Sequence, residues 1–394
     1  MARSYSIIAK PVDSVCNLAC EYCYYADKPT ILKHKPGFMS NAVLESFVSQ
    51  YIKINTVDFV QFIWHGGEPL LAGIDFFQRV TVLQKKYASD KIIENVIQTN
   101  GTLIDETWCE FFRSHNFLVG ISLDGPQELH DKFRKDHHGN CTFNKVMNAI
   151  GLLKQYDVRF NTLTVLNKYN AEKPLEVYRL LRETGSSYMQ FIPLVERFTD
   201  VYEQEQGLRF APPVLDGYLS GKRKMRDFNI TPELFDSFYR AIFDEWMEKD
   251  IGHVFVQMFE AMAGNILNQP AGFCVMERTC GHAACIVTTG DVYSCDHFVY
   301  PKYLLGNIRE CSLYDIMEAN REFGINKGAR LPQKCLKCPV ESICRGGCPK
   351  HRFVVAPPEP YSINYLCEGY LSFYSYAKQM MEFFVQSKKC KPSK

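Results

Sequence analysis

Three cysteines near the start of the chain, in the run Cys16-Asn17-Leu18-Ala19-Cys20-Glu21-Tyr22-Cys23, are separated by three residues and then by two. That spacing wraps three thiolates around one face of a cubic iron-sulfur cluster, and no fourth cysteine follows nearby. A 4Fe-4S cluster ordinarily takes four thiolates, so three leave one iron open to a small molecule, which is the mark of a catalytic rather than a structural metal site. A zinc site is the alternative for a cysteine triplet, but a structural zinc needs a fourth ligand that this run does not supply.

The second half is richer still in thiols. Cys274, Cys280 and Cys295 are followed by Cys335, Cys338, Cys344 and Cys348, and finally by Cys367. Eight thiols suit two tetrathiolate sites. Spacing alone does not choose the metal, because Cys-x2-Cys pairs also build zinc ribbons.

Such residues must be held by a scaffold, and the chain has the pattern of one. Short β-rich runs recur at 5–10, 58–64, 92–98, 117–123, 158–166 and 188–194, each reading as a buried strand. Helical patterns lie between them at 42–54, 76–87, 106–115 and 143–156, with Asp105 and Thr142 placed as N-caps. Alternating β and α elements imply a parallel sheet. Six units are too few for a closed eight-stranded barrel but enough for a curved partial (β/α)6 barrel, whose reactive loops follow the C-terminal ends of the strands. The cysteine triplet follows the first strand, where such a site belongs.

From 199 to about 229 the chain turns polar and Gly/Pro-punctuated, and helical patterns resume at 232–249 and 253–267. The expected organisation is a barrel over 1–230, a helical connection over 231–272 and a cysteine-rich module over 273–394. The chain has 394 residues with Lys+Arg at 45 against Asp+Glu at 44, so no net field draws phosphate backbones or anionic lipid. Neither nucleic acid nor membrane is an expected partner. The N-terminus lacks a secretory apolar stretch, and no run of about 18 apolar residues occurs. The expectation is a cytoplasmic protein, in whose reducing surroundings sixteen cysteines point to metal or redox chemistry rather than disulfides.

Further pieces follow the strands in a fixed order: Gly66-Gly67-Glu68-Pro69 after the second, Ser122 at the end of the fourth, Arg134 beyond it and Val195 after the sixth. Alone, a Gly-Gly pair marks a turn and an arginine a surface ion pair. Together with the triplet they resemble the radical SAM superfamily, and the C-terminal cysteines look like its SPASM extension. The resemblance implies that Cys16, Cys20 and Cys23 hold a 4Fe-4S cluster whose open iron chelates S-adenosylmethionine (SAM). It implies that Tyr22, Gly67, Ser122, Arg134 and Val195 contact SAM, with Glu68 balancing its ammonium and the Arg134 fork its carboxylate. It also implies two auxiliary 4Fe-4S clusters, one on Cys274, Cys280, Cys295 and Cys348, the other on Cys335, Cys338, Cys344 and Cys367. Of the remaining thiols, Cys109, Cys141, Cys311 and Cys390 read as small buried hydrophobes, and Cys285 as a competitor for the first auxiliary site.

Within that superfamily the chain resembles the anaerobic sulfatase-maturating enzymes over nearly its whole length, in 16–25, 65–69, 98–103, 122–126, 290–296 and the terminal cysteine set. The implied reaction is two-electron oxidation of a cysteine or serine in an unfolded sulfatase polypeptide to Cα-formylglycine. The radical made from SAM takes a hydrogen from the target Cβ, Asp296 takes the thiol or hydroxyl proton as general base, and an auxiliary cluster takes the second electron. A flavodoxin or ferredoxin would be the electron donor, and a monomer the working form. Tyr25 and His65 would bound the radical's cavity, His65 being a departure from the glutamine that relatives can carry. The runner-up is a SPASM maturase that forms a thioether or carbon-carbon crosslink in a ribosomal peptide; the lack of a leader-binding domain before Tyr5 favours sulfatase maturation. A non-enzymatic iron-sulfur electron carrier or zinc-stabilised interaction protein would leave the open triplet beside Gly66, Gly67 and Glu68 without a purpose.

Overall fold

A computed structural model describes residues 3–32, 37–213, 224–281, 283–355 and 361–389. Six strands, β1 (Ser6–Ala9), β2 (Phe59–Trp64), β3 (Ile92–Thr99), β4 (Leu118–Ser122), β5 (Phe160–Leu166) and β6 (Tyr188–Pro193), lie side by side in chain order, all parallel. This is the expected partial (β/α)6 barrel. The strand faces that pack under the helices are largely apolar, with Ile97 on β3 and Val119 and Ile121 on β4 buried there, although β3 also buries Asn95 against Gln84 of a flanking helix. On β2, Val60, Phe62 and Trp64 are buried, and Phe62 and Trp64 meet Phe47 and Phe77 of the flanking helices edge-on. The alternate parity, carrying Gln61 and then His65, faces the barrel interior, as a two-residue period requires.

The helices Asn41–Ile54, Ile74–Tyr87, Glu106–Ser114 and Phe143–Gln155 match the sequence pattern closely. Asp105 caps as expected, its carboxylate accepting from the Trp108 N–H. Thr142 occupies the N-cap position but makes no cap: its hydroxyl donates instead to the Arg134 carbonyl, 2.7 Å away, because a loop from the preceding helix lies closer than its own first turn. That preceding helix, Gln127–Phe133, and the helix Pro174–Glu183 complete the layer.

Four short strands extend the sheet beyond the barrel. β7 (Phe255–Val256) adds to β6, while β8 (Ala283–Ile286) adds parallel to β1 and is continued antiparallel by β9 (Asp291–Tyr293) and β10 (Leu304–Asn307). Their brevity hides them from periodicity analysis. Because β8 to β10 come from the cysteine-rich segment, one sheet runs through both parts of the chain, and the far segment is registered against β1 residue by residue, Ile8 opposite Cys285 and Ala9 opposite Ile286. On the other side the helices Pro232–Lys249 and Cys367–Lys389 pack through aromatic rings, Phe235 on Tyr370 at 4.8 Å among them. Of the stretch expected as a linker, 214–223 lies outside the described residues, as does Cys390. No helix among the described residues is long and apolar enough to cross a membrane.

Candidate active site

A cavity of about 210 Å³ opens at the C-terminal ends of the strands. Cys16, Cys20 and Cys23 form part of its wall, and so do Tyr22, Gly67, Ser122, Arg134 and Val195. Asp296 reaches the same cavity from the segment after β9, as do Tyr25 and His65 from the barrel. Residues 280 positions apart in the chain thus converge where the strand order places reactive loops.

The thiols carry the chemistry of a cluster site. Burial pushes the Cys16 thiol up to about 11 and the Cys20 thiol up to about 12. Thiols so disfavoured as anions ionise against bound cationic metal, which reverses the local pKa logic. Cys16 is further prepared by the Leu18 N–H at 3.3 Å and the Asn100 amide at 3.8 Å, donors suited to a metal-bound sulfur.

The eight C-terminal thiols divide into two neighbourhoods. Burial raises Cys280 to about 12, with Cys348 and Cys274 adding to it, and raises Cys295 well above the ordinary range, with Cys274 and Cys348 again beside it. Burial raises Cys344 to about 12, and its thiol neighbours are Cys335, Cys367 and Cys338. These are the two crossed-over sets that the resemblance implies. Among the described residues no three His, Cys, Asp or Glu side chains are placed to hold a single metal ion; a four-iron cluster, which takes its thiolates at separate irons, does not need them to be. The donor sets therefore fit the clusters.

Of the thiols outside these sets, Cys109 is buried as expected, but Cys141 and Cys311 are exposed, each standing in a surface segment beside a helix start. Cys285 is fully buried in β8, packed with Tyr25 and Val287 rather than with the auxiliary thiols.

Three expected roles look different in three dimensions. The Gly67 N–H donates to the Asp13 carbonyl at 2.6 Å, and a Cβ on Gly67 would collide with the Val15 carbonyl. Glycine is required there because the loop carrying the cysteines crosses it, in addition to any approach to ligand. Glu68 is fully buried and lies outside the cavity wall. Its carboxylate accepts from the Leu70 and Asn100 N–H groups and the Thr99 hydroxyl at 2.8 to 3.0 Å, and burial still lifts its pKa to about 7. These three donors tie it to its own loop and to the one after β3. Arg134 lines the cavity, but its fork chelates Asp124, Nε at 2.9 Å and Nη2 at 3.1 Å, while Asp124 also accepts from the Tyr22 hydroxyl and from the Val165 N–H at 2.9 Å.

The Arg134 geometry changes what its substitution should do. Arg134→Lys keeps the charge and loses the planar fork, leaving fully buried Asp124 short of a partner. We expect the loss of a charge-assisted hydrogen bond to cost about 1 to 3 kcal/mol of stability, measured by denaturant unfolding, alongside weaker SAM binding. Unchanged stability and SAM affinity would remove the Asp124–Arg134 pair from the site's architecture.

Several cavity residues escaped the sequence reading. Gln98 points inward from β3 and donates to the Ser122 hydroxyl at 3.1 Å; the available signal was Gly120 on the neighbouring strand, where a Cβ would collide with the Gln98 amide. Tyr24 donates its hydroxyl to Asp296. Glu196, after β6, pairs with Lys350, beyond Cys348, and closes the wall between the two parts of the chain. Burial disfavours the Asp296 carboxylate, but Lys10, His65 and His297 outweigh it and hold its pKa well below the usual range.

Comparison with known proteins places this geometry. The radical SAM superfamily pattern matches residues 12–181, and the SPASM iron-sulfur cluster-binding domain matches 274–339. A serine-type anaerobic sulfatase-maturating enzyme of Bacteroides thetaiotaomicron is 43% identical over 387 residues, 97% of this chain and 91% of that protein. The chain belongs to the anaerobic sulfatase-maturating enzyme family. A cysteine-type member from Clostridium perfringens is 34% identical over 94% of this chain and 96% of its own. The solved structure of native anSMEcpe with bound AdoMet and Cp18Cys peptide superposes with a TM-score of 0.83 at 32% identity, covering 97% of this chain and 99% of that one. As a maturating enzyme of this family, the protein is a radical SAM oxidoreductase that uses 4Fe-4S clusters and SAM.

Proposed function

We propose that this enzyme oxidises a cysteine or serine of a sulfatase polypeptide to Cα-formylglycine, with Asp296 as the proton acceptor. One observation carries the assignment: the cysteine triplet, the five positions implied for SAM and Asp296 share one cavity. When bound there, the cluster and SAM supply a radical able to take a hydrogen atom from the target Cβ. The chain's own groups do the rest. Tyr22, Asp124 and Arg134 brace one wall through their mutual hydrogen bonds. Asp296, ionised and oriented by Lys10 and Tyr24, accepts the proton of the substrate thiol or hydroxyl. One hydrogen atom, one proton and one electron leave in all; a serine yields the aldehyde directly, and a cysteine yields a thioaldehyde that water converts to aldehyde and sulfide. Cys295, the residue before Asp296, belongs to the thiol set that would hold the first auxiliary cluster, and that cluster would supply an electron acceptor close to the base. Flavodoxin or ferredoxin is the class of carrier that supplies the initiating electron, and the working form is a monomer.

The test is anaerobic incubation of reconstituted protein, SAM and reductant with peptides carrying Cys-x-Pro-x-Arg or its serine counterpart, read by mass spectrometry. Aldehyde in either peptide is the expected result. SAM consumption with a thioether or carbon-carbon crosslink and no aldehyde would overturn the proposal in favour of peptide crosslinking.

A further inference from the structure

Lys10 is wholly buried at the end of β1, and its ammonium does not open onto the cavity. It pairs with Asp296, stands 3.4 Å from the His65 Nδ1 and lies 4.4 Å from the centre of the Tyr25 ring. Its backbone N–H donates to the Ile286 carbonyl at 2.9 Å, at the point where β8 joins β1. The two members of the ion pair therefore come from the start of the barrel and from the cysteine-rich segment, and meet only when that segment is docked on the barrel.

We infer that Lys10 is a positioning residue for the proton step, fixing the carboxylate of Asp296 toward the cavity from behind. The inference rests on the reading of Asp296 as base. A carboxylate beside a cluster ligand can rotate about two side-chain torsions; an ammonium at one oxygen and the Tyr24 hydroxyl at the other hold it in one orientation. Lys10 is itself held in place, since Tyr25 covers one side of the ammonium and His65 another. His65 is an acceptor there: burial, followed by the charge of Lys10, lowers its pKa to about 4, so the ring is neutral and its Nδ1 also takes the Gly66 N–H at 2.6 Å.

A buried ion pair is often replaceable by apolar groups at little cost in stability, so a purely structural Lys10 and a positioning Lys10 predict different things. The experiment measures aldehyde formed per 5′-deoxyadenosine, with iron content determined in parallel, for wild type, Lys10→Met, Asp296→Asn and the double variant. If Lys10 acts through Asp296, Lys10→Met lowers the ratio about 10- to 100-fold, the scale of a misplaced catalytic group, and the double variant has the ratio of Asp296→Asn alone. A wild-type ratio in Lys10→Met, with Asp296→Asn defective, overturns the inference and spares the base. A wild-type ratio in Asp296→Asn overturns the base assignment and this inference with it. A double variant worse than both singles shows independent action and also overturns it. Should methionine reduce iron content, Lys10→Gln, which keeps a donor toward Asp296, is read in the same way; iron loss in both variants assigns Lys10 to the fold and overturns the positioning role.

Discussion

Replacing Cys16, Cys20 and Cys23 together by alanine is expected to remove one cluster of three and abolish SAM cleavage. Iron should fall from about twelve to about eight atoms per chain, at four irons per cluster, and 5′-deoxyadenosine should drop to the blank with or without peptide. The effect should be total because the triplet, which would hold the cluster with the open iron, lines the cavity together with the positions implied for SAM, whereas the eight C-terminal thiols neighbour one another in two groups. The remaining clusters should survive, since none of their thiols lies in the Cys16–Cys23 loop and β8, which carries their segment onto the barrel, pairs with β1 before that loop begins. Iron and sulfide analysis with electronic spectra would check the count. Surviving SAM cleavage in the triple variant would show that the catalytic cluster is held elsewhere, and stoichiometric zinc without iron in anaerobically purified protein would overturn the entire assignment.

What the sequence disclosed, and what it hid, follows the range of the interactions concerned. Strands β1 to β6 were legible because each is a continuous β-rich run bounded by helical periodicity, and the helix at Glu106–Ser114 because Asp105 caps its own first turn. Those signals are local. The failure at Thr142 is instructive: residue type and position were right for a cap, but the hydroxyl was claimed by the Arg134 carbonyl from the previous helix. Arg134 itself was rightly placed at the cavity, while its pairing with Asp124, ten residues earlier and across a turn, left no mark in the spacing. The role of Glu68 opposite the SAM ammonium came from the family resemblance; the bonds its carboxylate takes from the backbone of its own and the next loop left no mark in the spacing. Lys10 was beyond reach altogether. Nothing near it in sequence identifies a partner, and only the addition of β8 to β1 brings Asp296 to its ammonium. The cysteines, by contrast, were readable as metal ligands at any range, because metal ligation restricts residue type strongly; their division into two crossed-over sets came from the family resemblance and not from their spacing.

Asp296→Asn is expected to separate the radical step from the proton step. The amide retains size, and its oxygen can still accept from Lys10 while its NH2 donates to the Tyr24 hydroxyl, but it cannot take a proton. Loss of a positioned base costs a factor of about 100 to 10,000, so formylglycine should nearly vanish while 5′-deoxyadenosine still forms in the presence of peptide. With a peptide deuterated at the target Cβ, label should appear in 5′-deoxyadenosine without matching aldehyde. The structure adds a control. Removing the carboxylate leaves the Lys10 ammonium buried without its counter-charge, and stranding one member of a buried pair typically costs about 3 to 5 kcal/mol. Asp296→Asn should therefore unfold at lower denaturant than wild type, and Lys10→Met/Asp296→Asn, which removes both charges, should recover much of that stability without recovering aldehyde. Stability then responds to the second substitution while the chemistry does not, so an aldehyde defect produced by misfolding is distinguishable from one produced by the missing base. If clusters are intact and aldehyde forms at the wild-type rate in Asp296→Asn, another group takes the proton, and Tyr24, whose hydroxyl already bonds to Asp296 in the same cavity, becomes the next residue to substitute.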